Sequence, residues 1–280
     1  MKLPFKTDLS KTTAVITGAG GVLMSEFAAA LAAAGAKVAL LDINEGAVQA
    51  AAEKIGKNAI GVKADCLNKD ALLTAKKTVG ERFGAVNLLI NGAGGNSPRA
   101  TTDNETVVVK AATPAETAVK DFFALEEAGF KFVFDLNLTT AFLVTQVFAS
   151  DMVKTGGNII NIASMNAFRP LTKIPAYSAA KAGIANLTQW MAVHFAPAGI
   201  RVNGIAPGFF VTNQNRDLLF KDGAPTPRTQ KILSHTPQNR FGETSDLIGT
   251  LLWLASDEAS GFVTGVTIPV DGGFNAYSGV

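Results

Sequence analysis

Short runs of uninterrupted apolar residues alternate along the chain with longer stretches whose apolar positions recur at helical spacing. Lys11–Thr17 (KTTAVIT), Ala36–Asp42 (AKVALLD), Ala59–Ala64 and Val86–Asn91 (VNLLIN) are such runs, and Gly157–Ala163 (GNIINIA), Ile200–Ala206 (IRVNGIA) and Val266–Val270 follow. Each is too short for a helix and apolar on both faces, the signature of a strand buried in a parallel sheet. Between them, Val22–Ala34 reads as a helix stopped by Gly35, Glu45–Ile55 as one stopped by Gly56, and Asn68 caps a third that runs through Phe83. Strand followed by helix, repeated, predicts an α/β fold. It is a doubly wound Rossmann-type parallel sheet of about seven strands, with helices on both faces and right-handed crossovers. No Pro/Ser-rich linker divides the chain and no repeat is visible, so residues 1–280 read as one domain.

Two segments break the rhythm. Residues 96–121 (NSPRATTDNETVVVKAATPAETAVKD) have weak periodicity. An irregular stretch of that length is usually functional, although a surface insertion is tolerated at small entropic cost. Residues 209–237 contain three prolines and read as a lid over a substrate site.

Composition narrows the class. Of 280 residues 48% are hydrophobic and 17% charged, which excludes a disordered chain. With 25 basic and 23 acidic residues the formal net charge is +2, and Lys and Arg form no run, so nucleic acid is not an expected partner. The most apolar stretch, Phe27–Leu41, is interrupted by Lys37 and too short to cross a bilayer, and MKLPFKTDLS lacks the apolar core of a signal peptide. A single cysteine, Cys66, permits no internal disulfide, which fits a reducing compartment. We therefore expect a cytoplasmic protein with no membrane partner. No His, Cys or carboxylate cluster has metal-ligand spacing, and no metal is expected.

The turn after the first strand carries Gly18, Gly20 and Gly21. Bare glycines let a backbone approach a pyrophosphate, and the helix N-terminus that follows supplies amide donors. The strict GxGxxG spacing fails at Leu23, so the turn alone is equally an ordinary strand-to-helix turn. Asp42 ends the second strand, where a carboxylate can accept from an adenosine ribose diol and repel a 2′-phosphate; the alternative is an acid at a helix N-terminus. No Arg or Lys occurs at 19–21 or 43–44, which favours NAD over NADP. Tyr177 and Lys181 lie one helical turn apart, with Ser164 upstream. A free tyrosine titrates near ~10, and a neighbouring ammonium stabilises the tyrosinate. A hydroxyl such as that of Ser164 can hydrogen-bond a carbonyl oxygen on which negative charge develops. The plain alternative is a half-buried tyrosine beside a solvated lysine.

In chain order, Thr17-Gly18, Asp42, Asp65, INGAG (90–94), Asn137, Ser164, Tyr177-xxx-Lys181, Pro207-Gly208 and GFVTG (261–265) resemble the short-chain dehydrogenase/reductase family, over essentially the whole chain. The resemblance implies that Tyr177 donates and accepts the proton, and that Ser164 polarises the substrate oxygen. Lys181 would hold the nicotinamide ribose and lower the Tyr177 pKa, and Asn137 would position a water in a proton relay behind Lys181. Implied cofactor contacts are Gly18, Gly20, Gly21, Val22 and Leu23 at the phosphates, Asp42 at the ribose, and Asp65 and Cys66 at the adenine. Asn91, Gly92, Ala93, Pro207 and Gly208 complete the implied set. Two departures from the family pattern stand out. Val22 and Met24 occupy glycine positions of TGxxxGxG, and Gly92 replaces the second Asn of NNAG.

A narrower resemblance is to the D-mannonate oxidoreductase (fructuronate reductase) branch of that family. It is carried by GAGGN (92–96), the 96–121 insertion, FVFDLN (132–137), SMNAFRPLTKIPAYSAAK (164–181), APGFF (206–210) and the terminal VDGGFNAYSGV. It implies NAD(H)-linked interconversion of D-mannonate and D-fructuronate. A gluconate-type or other polyol dehydrogenase is the alternative within the family; a non-catalytic nucleotide sensor or an epimerase is the alternative outside it. A hexonate needs a cation for its carboxylate: Arg169, Arg99 and Lys173 are candidates, with Arg216 in the lid. Asn96, Asn166, Asn213 and Asn215 could read hydroxyls, and each of these residues is also explicable as solvated surface. His194 and His235 read as structural or exposed. The family resemblance further implies a homotetramer, with helices over 130–155 and 176–196 packed across a two-fold axis and Phe274–Val280 held at another interface.

Overall fold

The apolar runs fold as β1 (Thr13–Thr17), β2 (Lys37–Asp42), β3 (Ala59–Lys63), β4 (Leu88–Asn91), β5 (Gly157–Ile162) and β6 (Ile200–Pro207). Two short strands, β7 (Phe220–Lys221) and β8 (Ala224–Pro225), pair antiparallel apart from the main sheet, and β9 (Thr267–Val270) completes that sheet. The computed structural model describes residues 7–109, 119–211, 219–221 and 224–279. Seven parallel strands lie in the order β3-β2-β1-β4-β5-β6-β9. The strands are apolar at successive positions because each is covered twice. Ala14, Ile16, Val38, Leu40, Leu88 and Ile90 face one core with Phe27 and Leu31. Val15, Ala39, Leu41 and Leu89 face the other, with Leu72, Val79, Phe148 and Met152. The period of two along each strand thus splits one apolar run between two layers.

The helices are α1 (Val22–Ala33), α2 (Glu45–Ile55), α3 (Lys69–Phe83), α4 (Glu127–Phe134), α5 (Thr140–Thr155), α6 (Pro175–Phe195), α7 (Pro227–Ser234), α8 (Thr244–Ala255) and α9 (Asp257–Ser260). The Asn68 side chain caps α3 as expected, accepting from Asp70 N and Ala71 N at 3.0 Å. Strand starts move inward from Lys11 to Thr13 and from Val86 to Leu88. The Asn87 side chain takes the place of a ladder partner there, accepting from Thr13 N and donating to Lys11 O. Between α4 and α5 the chain makes a π turn over Asp135–Thr139. The helical stretch Glu127–Thr155 is long and apolar enough to cross a membrane by length and composition alone, but Val144, Val147, Phe148 and Met152 bury its inner side against the sheet.

The insertion is closed at its base: Asp103 N donates to Lys120 O at 2.8 Å, and Lys120 Nζ donates to the carbonyls of Pro98 and Arg99. The segment read as an irregular lid contains a helix, α7, because Thr226 caps it and Pro227 stands at its first turn, where a missing N–H costs nothing. Lys231 of α7 pairs with Glu105 of the insertion at 2.6 Å, and that bond holds the Glu105 carboxyl below the usual range. At the opposite edge the buried Arg201 of β6 pairs with Asp257 at 2.7 Å and donates to Leu254 O, fixing the end of α8 to the sheet.

Candidate active site

The strand order reverses between β1 and β4, and the loops leaving them part to form a crevice at the carboxyl ends of the strands. Gly18 has φ +68°, and a Cβ there would lie 2.8 Å from Gly92 O and 2.9 Å from Ala93 Cα, so only glycine lets the two loops touch. Thr17 Oγ1 accepts from Gly92 N at 3.1 Å and Ala93 N at 3.2 Å, tying the second loop to the first. A Cβ on Gly92 would collide with Sδ of the buried Met24. The two departures from the family pattern are therefore complementary: the thioether of one fills the space a side chain of the other would need. Gly21 caps α1 without a side-chain hydrogen bond, and no acid stands in the first turn, so this helix end is suited to an anion.

Asp42 Oδ2 accepts from Gly20 N at 3.0 Å and its Oδ1 from Asn44 N at 2.9 Å, which aims the carboxylate across the glycine turn. Asp65 accepts from Leu67 N at 2.9 Å. Between these acids burial pushes the Cys66 thiol up to about 12, with Asp42 and Asp65 adding to the effect, so the sulfur stays protonated and unreactive.

At the other end of the crevice Tyr177 hydrogen-bonds Ser164. Burial raises the Tyr177 pKa and this bond opposes the rise. Lys181 Nζ donates to Ile162 O at 2.8 Å and lies 5.6 Å from the Tyr177 ring centroid. Burial brings Lys181 down to about 8. Desolvation by burial is thus the larger influence on Tyr177, and Ser164 is the group that counters it. Asn137, within the π turn, accepts from Gly95 N at 3.1 Å and donates to Gly95 O at 2.7 Å. This two-way clamp sets the loop after β4 against Lys181, and a Cβ on Gly94 would come 2.6 Å from Asn137 Oδ1 and 3.2 Å from Lys181 Nζ.

One cleft of about 630 Å³ joins the two ends. Its walls bring together Gly18, Gly20, Gly21, Val22, Leu23, Asp42, Asp65 and Cys66 with Gly92, Ala93, Ser164, Tyr177, Lys181, Pro207 and Gly208. Lys181 is the only basic side chain among the described residues that line it. Ile43, Leu67 and Thr140 also line it without any signal in the sequence, while Leu136, Phe209 and Phe210 line it from within the FVFDLN and APGFF motifs. Asn91 and Asn137 lie behind the wall. Asn91 Nδ2 donates to Thr145 Oγ1 and Asn161 Oδ1, and Asn161 Nδ2 to Thr188 Oγ1, so the amide expected at the cofactor serves a polar floor under the sheet.

The five substrate candidates stand outside the cleft lining. Arg169 Nε donates to Asn275 O at 3.2 Å, and Arg99 lies 5.7 Å over the Phe132 ring. Asn96 donates to Thr101, and Asn166 N donates to Ser164 Oγ. Lys173 has φ +73° and accepts at its carbonyl from Thr102 N. Asn213, Asn215 and Arg216 lie outside the described residues. His194 stacks on Trp190 at 4.6 Å, and His235 is exposed. No group of three or more His, Cys, Asp or Glu that could hold a metal comes together among the described residues.

The short chain dehydrogenase family model matches residues 12–221. An uncharacterized oxidoreductase of Bacillus subtilis (strain 168), UxuB, is 53% identical over 283 residues, covering 99% of this chain and 100% of the relative. The 2-dehydro-3-deoxy-D-gluconate 5-dehydrogenase of Escherichia coli (strain K12) is 32% identical over 96% of this chain and 97% of its own. A crystal structure of a candidate D-mannonate oxidoreductase from Haemophilus influenza with bound NAD superposes with a TM-score of 0.93 at 50% identity, covering 98% of each chain.

The Met24–Gly92 fit has a measurable consequence. Gly92→Ala alone should lower stability by ~1–3 kcal/mol through overpacking, and adding Met24→Ala should recover only the part due to the thioether, because a Cβ at 92 also meets Thr17 O at 2.7 Å. Thermal unfolding of the four proteins decides it; strictly additive costs would show that the two residues do not share space.

Proposed function

The chain belongs to the short-chain dehydrogenase family, and from that membership we propose that it is an NAD-dependent oxidoreductase acting on a sugar acid, with D-mannonate and D-fructuronate as its pair. The observation that carries the reading is the meeting of Ser164, Tyr177 and Lys181 at one end of a cleft whose other end presents Asp42. The bare glycine turn and the uncapped start of α1 fit a dinucleotide pyrophosphate. Asp42, with no cation beside it in the cleft lining, fits a ribose diol and disfavours a 2′-phosphate. NAD(H), when bound, accepts or supplies the hydride. In the direction of reduction, the Tyr177 hydroxyl gives its proton to the substrate carbonyl oxygen while Ser164 donates a hydrogen bond to the same atom. The phenolate left on Tyr177 is stabilised by the ammonium of Lys181, which Ile162 O orients. In oxidation the same proton travels back. Asn137 holds the loop that faces Lys181 in place.

The sugar-acid reading is supported by the NAD-bound neighbour and by the gluconate-type relative. Arg169 remains the cation we propose for the substrate carboxylate, since among the described residues its guanidinium is held at Nε by Asn275 O and its outer edge suits an anion. We also propose a cytoplasmic homotetramer. Phe142 on α5 and Trp190 and Val193 on α6 are 48%, 58% and 78% exposed, the apolar faces that packing across a two-fold axis would cover.

Three measurements test this reading. Tyr177→Phe should retain NADH binding and lose turnover by ~10²–10⁴-fold; a loss under about threefold would remove Tyr177 from the chemistry. Asp42→Ala should reduce kcat/KM with NAD and raise relative use of NADP, and a wild type that already prefers NADP contradicts the role given to Asp42. Sedimentation at micromolar concentration should show a tetramer, and a monomer would refute the assembly.

A further inference from the structure

We propose that the C-terminal segment Asp271–Tyr277 is a positioning element for the substrate end of the cleft, and that Phe274 is the residue that sets the Phe209 wall. The proposal rests on the dehydrogenase reading for what the wall contacts, but the arrangement itself is geometric.

The segment is turned back over the sheet by its own sequence. Gly272 and Gly273 have φ +65° and +91°, a conformation open to glycine, and Asp271 accepts from Gly273 N at 3.0 Å and Asn275 N at 2.8 Å. The turn sits directly on the cleft rim: a Cβ on Gly208 would lie 2.6 Å from Asp271 Cα, and Gly208 N donates to Val270 O at 3.0 Å. From there the segment makes three contacts, the first of them on the cleft wall. Phe274 meets Phe209 edge-on, with ring centroids 5.3 Å apart at 74°. Asn275 O accepts from Arg169 on the loop after β5, and Tyr277 meets His235 at the end of α7 at 6.1 Å.

The two adjacent phenylalanines of the rim are held differently. Phe210 is buried and its ring packs on Gly242, where a Cβ would collide with it. Phe209 is only half-buried, and both phenylalanines line two cavities. One is the cleft itself; the other, about 380 Å³, is walled by Phe209, Phe210, Arg240, Gly272 and Gly273. A ring with open space behind it is not fixed by core packing, so its position depends on the edge contact with Phe274. Without that contact Phe209 can fall back into the second cavity and widen the cleft where the substrate would sit, while the glycine turn and Asp42 at the far end are untouched. Phe274 therefore sets substrate fit without setting cofactor fit.

The test is a double-mutant cycle on Phe209→Ala and Phe274→Ala, each read three ways. With NADH and D-fructuronate, Phe274→Ala should raise the KM for D-fructuronate about threefold to tenfold, the range a single aromatic contact supplies, with kcat within about twofold. The double variant should be no worse than Phe209→Ala, and Phe274→Tyr should restore the wild-type KM. NADH binding, followed by fluorescence and needing no turnover, should stay within about twofold. Hydrogen exchange should quicken at the amides of 208–211 in Phe274→Ala and stay unchanged at 18–22. Additive losses, a parallel loss of NADH affinity, or unchanged exchange at 208–211 would overturn the proposal. A wild type inactive on D-fructuronate would refute the substrate reading instead, and the exchange data would still decide the role of Phe274. If Phe274→Ala folds poorly, Phe274→Leu removes the ring edge and keeps the bulk.

Discussion

Everything at this site depends on two backbones being allowed to touch. β1 and β4 are neighbours where the strand order reverses, and their loops diverge from a shared base. At that base the Gly18 backbone lies against the Gly92 carbonyl and Ala93, and Thr17 bridges them through one hydroxyl. A side chain at either glycine would push the loops apart and withdraw the start of α1 from the crevice. Met24, reaching from α1 into the space over Gly92, turns this closeness into packing: the helix is held down by the same residue that forbids bulk across the gap. On the far side of the loop the Asn137 amide does the corresponding work with polar contacts, gripping both the N–H and the C=O of Gly95.

Below this crevice the sheet has a polar layer that apolar patterning alone would not suggest. Asn91, Asn161, Thr145 and Thr188 connect β4, β5, α5 and α6 through side-chain hydrogen bonds in a fully covered region. A buried amide left unmatched costs ~1–3 kcal/mol, so such a chain tolerates few alternative arrangements of the elements that carry it. Those elements include α6, which carries Tyr177 and Lys181. Their placement relative to the glycine turn is thus set by directional contacts as well as by packing, whose tolerance for small shifts is greater.

What could be read from the chain beforehand was what is encoded locally. The seven strands, the Asn68 cap and the glycine turn each declare themselves within a few residues. The companionship of Met24 and Gly92 was visible only as two separate oddities, because nothing in a linear pattern shows that they meet. Asn91 was correctly placed at the end of a strand, but the face it takes depends on the strand's neighbours, and that decided between the cleft and the floor. Arg169 is legible for its charge, but its partner, Asn275, lies 106 residues further along the chain. The helix α7 is hidden differently: Thr226-Pro227 is a legible helix start inside a three-proline segment that reads as a lid.

The π turn over Asp135–Thr139 has a consequence for how this protein can vary. Such a turn holds one residue more than a regular helix would need, and removing it would let α4 and α5 merge into a straight helix. Everything beyond would then rotate by ~100°, carrying Val144 and Phe148 away from the sheet and Asn137 away from Gly95. Single-residue deletions are absorbed easily in surface loops, but here one would act on the core and the site together. The length of this segment is therefore a discrete quantity: this chain cannot lose one residue here without losing core and site together.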